Sequence, residues 1–131
     1  MHKVYRIEVE VAEGIHIGPY LAEFHTSNQD IKTVCQYFRS KAPYMPEPEH
    51  PEFKSGIPYC YRFGCDSALQ LFQWFGYNKQ VMQKVLTVFK LNVYIVYNVI
   101  HCDSQVAFDE DNAILTNTLS FEDFLESVKW E

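Results

Sequence analysis

The segment Leu91-Asn92-Val93-Tyr94-Ile95-Val96-Tyr97-Asn98-Val99-Ile100 is the strongest constraint on the fold. It is rich in β-branched and aromatic residues and polar only at its two asparagines, a composition that favours extended backbone. A strand that is apolar on nearly every residue has no side to turn to water, so it reads as a central strand covered on both faces. Any fold for this chain has to place that segment inside a sheet.

The flanking sequence supplies the covering elements. Val4 to Glu13 alternates, with Tyr5, Ile7, Val9 and Val11 on one face and Arg6, Glu8 and Glu10 on the other, as in a half-buried strand. A loop with two glycines and a proline follows, from Gly14 to Tyr20, and Leu21 to Phe24 is a short strand or a turn. Ser27 or Asn28 can cap a helix striped by Ile31, Val34, Cys35 and Phe38, which frays near Ser40, ahead of Pro43. In Arg62 to Gly76, Gly64 reads as a permissive hinge after an aromatic run. Asp66 or Ser67 then caps a short helix carrying Ala68, Leu71, Trp74 and Phe75 on one side, and Gly76 ends it.

Asn78 opens a further helix with Val81, Met82, Val85, Leu86 and Phe89 at helical spacing. Gln105 to Phe108 reads as a strand, antiparallel to its predecessor, and Ala113 to Thr118 as irregular chain or a short edge. Ser120 to Asp123 offers a capping signal for a last helix bearing Phe121, Phe124, Leu125 and Val128. The order β-α-β-α-α-β-β-α predicts a single compact α+β domain over residues 1–131, a mainly antiparallel sheet packed by three to four short helices. Five of the six prolines fall in residues 40–58 (Pro43, Pro46, Pro48, Pro51 and Pro58), which predicts an irregular loop there. Tyr44, Met45, His50 and Phe53 on that loop are candidate contact residues.

At 131 residues the chain can bury a core without metal or disulfide staples. Its four cysteines, in a chain whose start passes directly into a strand without a visible signal peptide, are expected to be reduced thiols in the cytosol. No apolar run is long enough for a transmembrane span. The charge is uneven. Residues 1–108 hold ten Lys/Arg and ten Asp/Glu, whereas residues 109–131 set Asp109, Glu110, Asp111, Glu122, Asp123, Glu126 and Glu131 against Lys129 alone, so the whole net charge of −6 lies there. Such an end repels phosphate backbones, which argues against direct nucleic-acid binding and for a basic protein partner.

Candidate reaction chemistry is sparse. Cys60, Cys65, His101 and Cys102 could be imagined around zinc, but the Cys60/Cys65 spacing is wider than a zinc knuckle and adjacent residues on a strand point apart. Buried thiols are the plainer reading, and no metal is expected. His101 beside Cys102 is the one local nucleophile–base pair, and no glycine-rich phosphate loop, His-Glu-x-x-His or nucleophile elbow occurs.

Three segments taken together carry a resemblance: Val4-Tyr5-Arg6-Ile7-Glu8 with Gly18-Pro19-Tyr20; Phe63-Gly64 with Ser67-Ala68-Leu69-Gln70-Leu71 and Trp74-Phe75; and Tyr94-Ile95-Val96 with Gln105-Val106-Ala107-Phe108. In this combination the chain resembles short proteins carried by bacteriophages and other mobile elements, many of which inhibit host defence, anti-CRISPR proteins among them. The resemblance implies a non-enzymatic inhibitor in the host bacterial cytosol that binds a host defence protein or nuclease complex, with no cofactor and no membrane. The contact residues expected are Asp109, Glu110, Asp111, Glu122, Asp123 and Glu126, with Tyr44 and Phe53. The segment order is also similar to the small ADP-ribosyltransferase layout. That likeness implies NAD as cofactor, Arg6 on its ribose or phosphate, Tyr59 or Tyr61 on the nicotinamide ring, and Glu110 in place of a family glutamate whose position here is Ala107. A third alternative is a structural or assembly protein of the mobile element, which would be a homo-oligomer.

Overall fold

The computed structural model describes residues 1–12, 15–18, 26–41, 61–74, 79–101 and 105–130. The expected central strand is there, but it is two strands. β4 (Lys90–Val96) is an inner strand of a four-stranded antiparallel sheet, in the order β2 (Ile15–Ile17), β1 (His2–Ala12), β4, β7 (Ile114–Leu119). At Tyr97-Asn98 the chain leaves that sheet. β5 (Val99–His101) then joins a second, three-stranded antiparallel sheet in the order β3 (Tyr61–Gly64), β6 (Val106–Asp109), β5. Burial follows the apolar composition in β4 but not beyond it: Tyr97 and Asn98 are exposed at the break, and Val99 and Ile100 of the edge strand β5 are only half-buried.

β1 and β4 pair along their length, from His2 opposite Val96 to Glu8 opposite Lys90. Four α-helices lie among the described residues: α1 (Gln29–Lys41), α2 (Ala68–Trp74), α3 (Lys79–Val88) and α4 (Phe121–Trp130). Short-range caps set where three of them begin. The Asn28 side chain accepts from the amides of Asp30 and Ile31 at 2.9 and 3.2 Å, and Ser67 Oγ accepts from the Gln70 amide at 2.9 Å. Ser120 and Asp123 exchange side-chain and backbone hydrogen bonds in a reciprocal capping box. Phe75, Gly76 and Asn78, expected at the junction of α2 and α3, lie outside the described residues, as does the proline-rich segment from residue 42 to 60.

The helices share one face of the large sheet. Tyr5 and Ile7 of β1 and Leu91 and Val93 of β4 are buried with Val34, Leu71, Met82, Val85 and Phe124 in a single core cluster. Phe72 and Phe124 meet edge to face, with ring centroids 5.9 Å apart. Each fully buried side chain of this size contributes about 1.5–3 kcal/mol. A second cluster, Val4, Val96, Val106 and Phe108, fills the space between the large sheet and the small one. The architecture is α+β in three layers: helices, large sheet, small sheet.

That third layer overturns the half-buried reading of β1. Its polar face is covered, and Glu8 is 1% exposed. Alternation had shown which residues share a face of β1, but a face is dry or wet according to what another part of the chain lays over it. Gly64 is corrected too. It is less a hinge than a close crossing: β3 runs against β1 there, joined by paired backbone hydrogen bonds between Tyr5 and Cys65 of 2.7 and 2.9 Å. A Cβ on Gly64 would overlap Val4 Cγ1.

Candidate functional site

The layer between the sheets holds the most concentrated polar chemistry of the described residues. Even-numbered positions of β1 and β4 point into it, so Arg6, Glu8, Asn92 and Tyr94 meet there. Arg6 Nη1 lies 3.2 Å from Glu8 Oε2, and Asn92 Nδ2 donates to Glu8 Oε1 at 2.9 Å. The Tyr94 hydroxyl donates to the same Glu8 oxygen. Thr118 Oγ1 of β7 donates to Asn92 Oδ1 at 2.8 Å, extending the network across three strands. The Arg6 guanidinium also faces the Phe108 ring at 5.8 Å, and its side chain is 13% exposed. Burial, followed by the hydrogen bond and charge of Glu8, pushes the Tyr94 phenol well above the ordinary tyrosine range.

Both carboxylate oxygens of Glu8 are engaged, so the cluster offers a substrate no open acid or base. Its chemistry is that of a register pin. A one-residue slip of β1 against β4 would turn Glu8 and Arg6 toward the helices and leave a charge unpaired in the core.

Of the residues suggested by the transferase layout, Arg6 is occupied by Glu8 and Phe108, and Glu110 pairs with Arg62 at 2.9 Å. Tyr61 sits on β3 opposite Asp109, no described contact joins it to Arg6 and Glu110, and Tyr59 lies outside the described residues. Of the zinc candidates, Cys60 and Cys102 lie outside the described residues. Cys65 is buried, its thiol pushed far up by burial and then by the charge of Asp66, and His101 Nδ1 stands 4.0 Å from Asp66. No group of three or more metal-ligating side chains occurs among the described residues.

The acidic residues divide by position and by task. Asp109, Glu110 and Asp111 lie at the 3-10 turn Glu110–Asn112 just before β7, while Glu122, Asp123 and Glu126 lie on α4 just after it. They are therefore not one patch but two ends of one strand. Asp109 caps the 3-10 turn through the Asp111 amide and Asn112, Asp123 belongs to the α4 capping box, and Glu110 holds Arg62. Asp111, Glu122 and Glu126 are exposed, and their carboxylates have no partner among the described residues. Tyr44 and Phe53 lie outside the described residues.

Three exposed apolar residues were not anticipated as surface groups: Tyr97 at 62%, Ile114 at 60% and Leu115 at 45%. The signal for the last two was their adjacency. Neighbours on a strand point to opposite faces, so two consecutive apolar residues on an edge cannot both reach the same core.

The fold defines a small three-layered α+β protein whose buried polar cluster pins strands and whose Asn28, Ser67 and Ser120 cap helices. No described helix is long and apolar enough to cross a membrane. The chain matches the family model for the Bacteriophage T4 Y00F protein over residues 1–122 and belongs to that bacteriophage family. No curated protein and no solved structure matches it.

Proposed function

We propose that this bacteriophage protein acts without catalysis in the host cytosol, as an anti-CRISPR-like inhibitor that binds a host defence protein or nuclease complex through its acidic surface. The observation that carries the reading is the set of exposed, unpartnered carboxylates, Asp111, Glu122 and Glu126, in the part of the chain that holds the whole net charge. Exposed carboxylates at both ends of β7, unneutralised by a neighbouring side chain, give that region a negative field that steers basic partners toward it. A nuclease complex suits that charge, because its nucleic-acid-binding groove is positive.

The test separates recognition from folding. Asp111→Lys, Glu122→Lys and Glu126→Lys are combined, with the capping residues Asp109 and Asp123 and the paired Glu110 left in place. Tagged wild-type protein and the triple variant are used to capture partners from a defence-competent bacterial lysate, with intact mass measured for the captured species. A stoichiometric partner of unchanged mass, lost in a triple variant that keeps its far-UV circular dichroism, supports the proposal. Undiminished capture by the triple variant, or a partner carrying the mass of an added ADP-ribose, refutes it.

A further inference from the structure

Resting on the reading that the protein works by binding, we infer that the outer edge of β7 takes up an extended, basic segment of the partner as an additional antiparallel or parallel strand. β7 is the terminal strand of the large sheet, and no described strand pairs with its outer side. From Ile114 to Thr118 every residue is exposed. Among the described strands, β2 at the opposite end of the sheet is only three residues long, and β3 and β5, which border the small sheet, have four and three. Short edges are a usual guard against unwanted pairing, as are lysine, proline and charge. β7 is six residues, Ile-Leu-Thr-Asn-Thr-Leu, with none of those. Its one guard is a bulge at Thr116, whose hydroxyl donates to the Val93 carbonyl at 3.1 Å.

Charge decides the occupant. Were a second copy to add across a two-fold axis centred on β7, Ile114 would stand opposite Leu119, and Asp111 opposite Glu122. Parallel addition would set each acidic end against itself. Like charges directly opposed on paired strands are destabilising, so self-pairing is disfavoured in either direction. A segment with an uncharged, β-branched middle and lysine or arginine at both ends meets the opposite situation. Its backbone hydrogen-bonds along β7, its middle packs on Ile114 and Leu115, and its ends reach Asp111 on one side and Glu122 and Glu126 on the other. Main-chain pairing supplies affinity in this mode of recognition and the flanking groups supply selectivity.

The probe is a short synthetic peptide of alternating threonine and valine with a lysine pair at each end. It is compared with the same peptide bearing glutamate pairs, and with a lysine version N-methylated at alternate backbone amides. Amide hydrogen exchange maps the site on the intact protein. The expected result is exchange slowed about tenfold or more within residues 114–119 by the lysine peptide, and by neither control. The Asp111→Lys/Glu122→Lys variant is expected to bind it about tenfold more weakly. Equal binding of the N-methylated peptide, protection confined to other residues, or no binding by the lysine peptide overturns strand addition. Concentration-dependent dimers by light scattering, with protection of 114–119 in the absence of peptide, overturn it in favour of a second copy. If the peptide fails while the triple variant still loses its host partner, strand addition falls and the acidic-surface reading stands.

Discussion

Replacing Gly64 by alanine tests the three-layer arrangement at its tightest point. The added methyl would overlap Val4 Cγ1 and come within 3.1 Å of Arg6 Cγ and 3.2 Å of the Tyr5 carbonyl oxygen. Val4 is fully buried, and the Tyr5 carbonyl already accepts from the Cys65 amide at 2.9 Å, so neither neighbour can step aside. Relief has to come from β3 lifting off β1. Overpacking of this kind costs about 1–3 kcal/mol, and weakening the two Tyr5–Cys65 bonds adds about 0.5–1.5 kcal/mol each, so a loss of about 2–6 kcal/mol is expected. In urea that is a midpoint lower by about 1–3 M at a slope of about 2 kcal/mol per molar. Gly18→Ala is the matched control. Its new methyl would lie 3.3 Å from the far end of the Arg6 side chain and 3.8 Å from a carbonyl oxygen, and a flexible tip can give, so a loss below about 1 kcal/mol is expected. Equal losses in the two variants, or a Gly64→Ala protein within about 0.5 kcal/mol of wild type, would refute the close-crossing argument.

Other consequences can be checked on the same material. Glu8→Leu leaves the Arg6 guanidinium buried without its counter-charge and should cost about 3–5 kcal/mol, while Arg6→Met/Glu8→Leu should be more stable than Glu8→Leu alone; a double variant no better than the single removes the ion pair from the account. Tyr94 has its folded-state pKa raised, so its contribution is present in full below the ordinary tyrosine value of about 10 and is lost as pH rises above it, where the unfolded chain ionises first. Tyr94→Phe should therefore flatten the alkaline limb of stability against pH, and an unchanged limb would contradict the assignment. Cys65, buried beside Asp66 with its thiol pushed up, should resist iodoacetamide at pH 8 in the native protein and react in urea, as read by peptide mass mapping; rapid native labelling would show the site to be open.

The elements that rest on short-range chemistry were legible in the residues. Asn28, Ser67 and Ser120 each satisfy helix N–H groups within three positions, so their signal is local and survives in the fold. The core stripes of α1, α3 and α4 follow from periodicity in the same way. What was not legible depends on partners remote in sequence. Nothing near Glu8 indicates that Asn92 and Tyr94 will close over it, more than eighty positions later. Tyr97 continues an unbroken apolar pattern, yet it is where the chain leaves one sheet for another. The acidic residues were found as a group because charge can be counted. Their separation into capping, pairing and unpartnered members needed the 3-10 turn and the start of α4 to be in place.

The placement of β1 has a consequence for how the chain comes into being. This first strand ends up in the interior of the sheet, and its principal neighbour, β4, finishes at Val96. On a ribosome adding about 5–20 residues each second, β1 waits roughly 4–18 s before the strand that pairs with it along its length has been made. Through that interval the alternating segment from Val4 to Glu8 is an unsatisfied β-template in a crowded cell. Its interleaved Arg6 and Glu8, which later become the buried pin between the sheets, are then the charges that keep the nascent strand in solution. The same two side chains thus act first as gatekeepers against aggregation and only afterwards as interior structure.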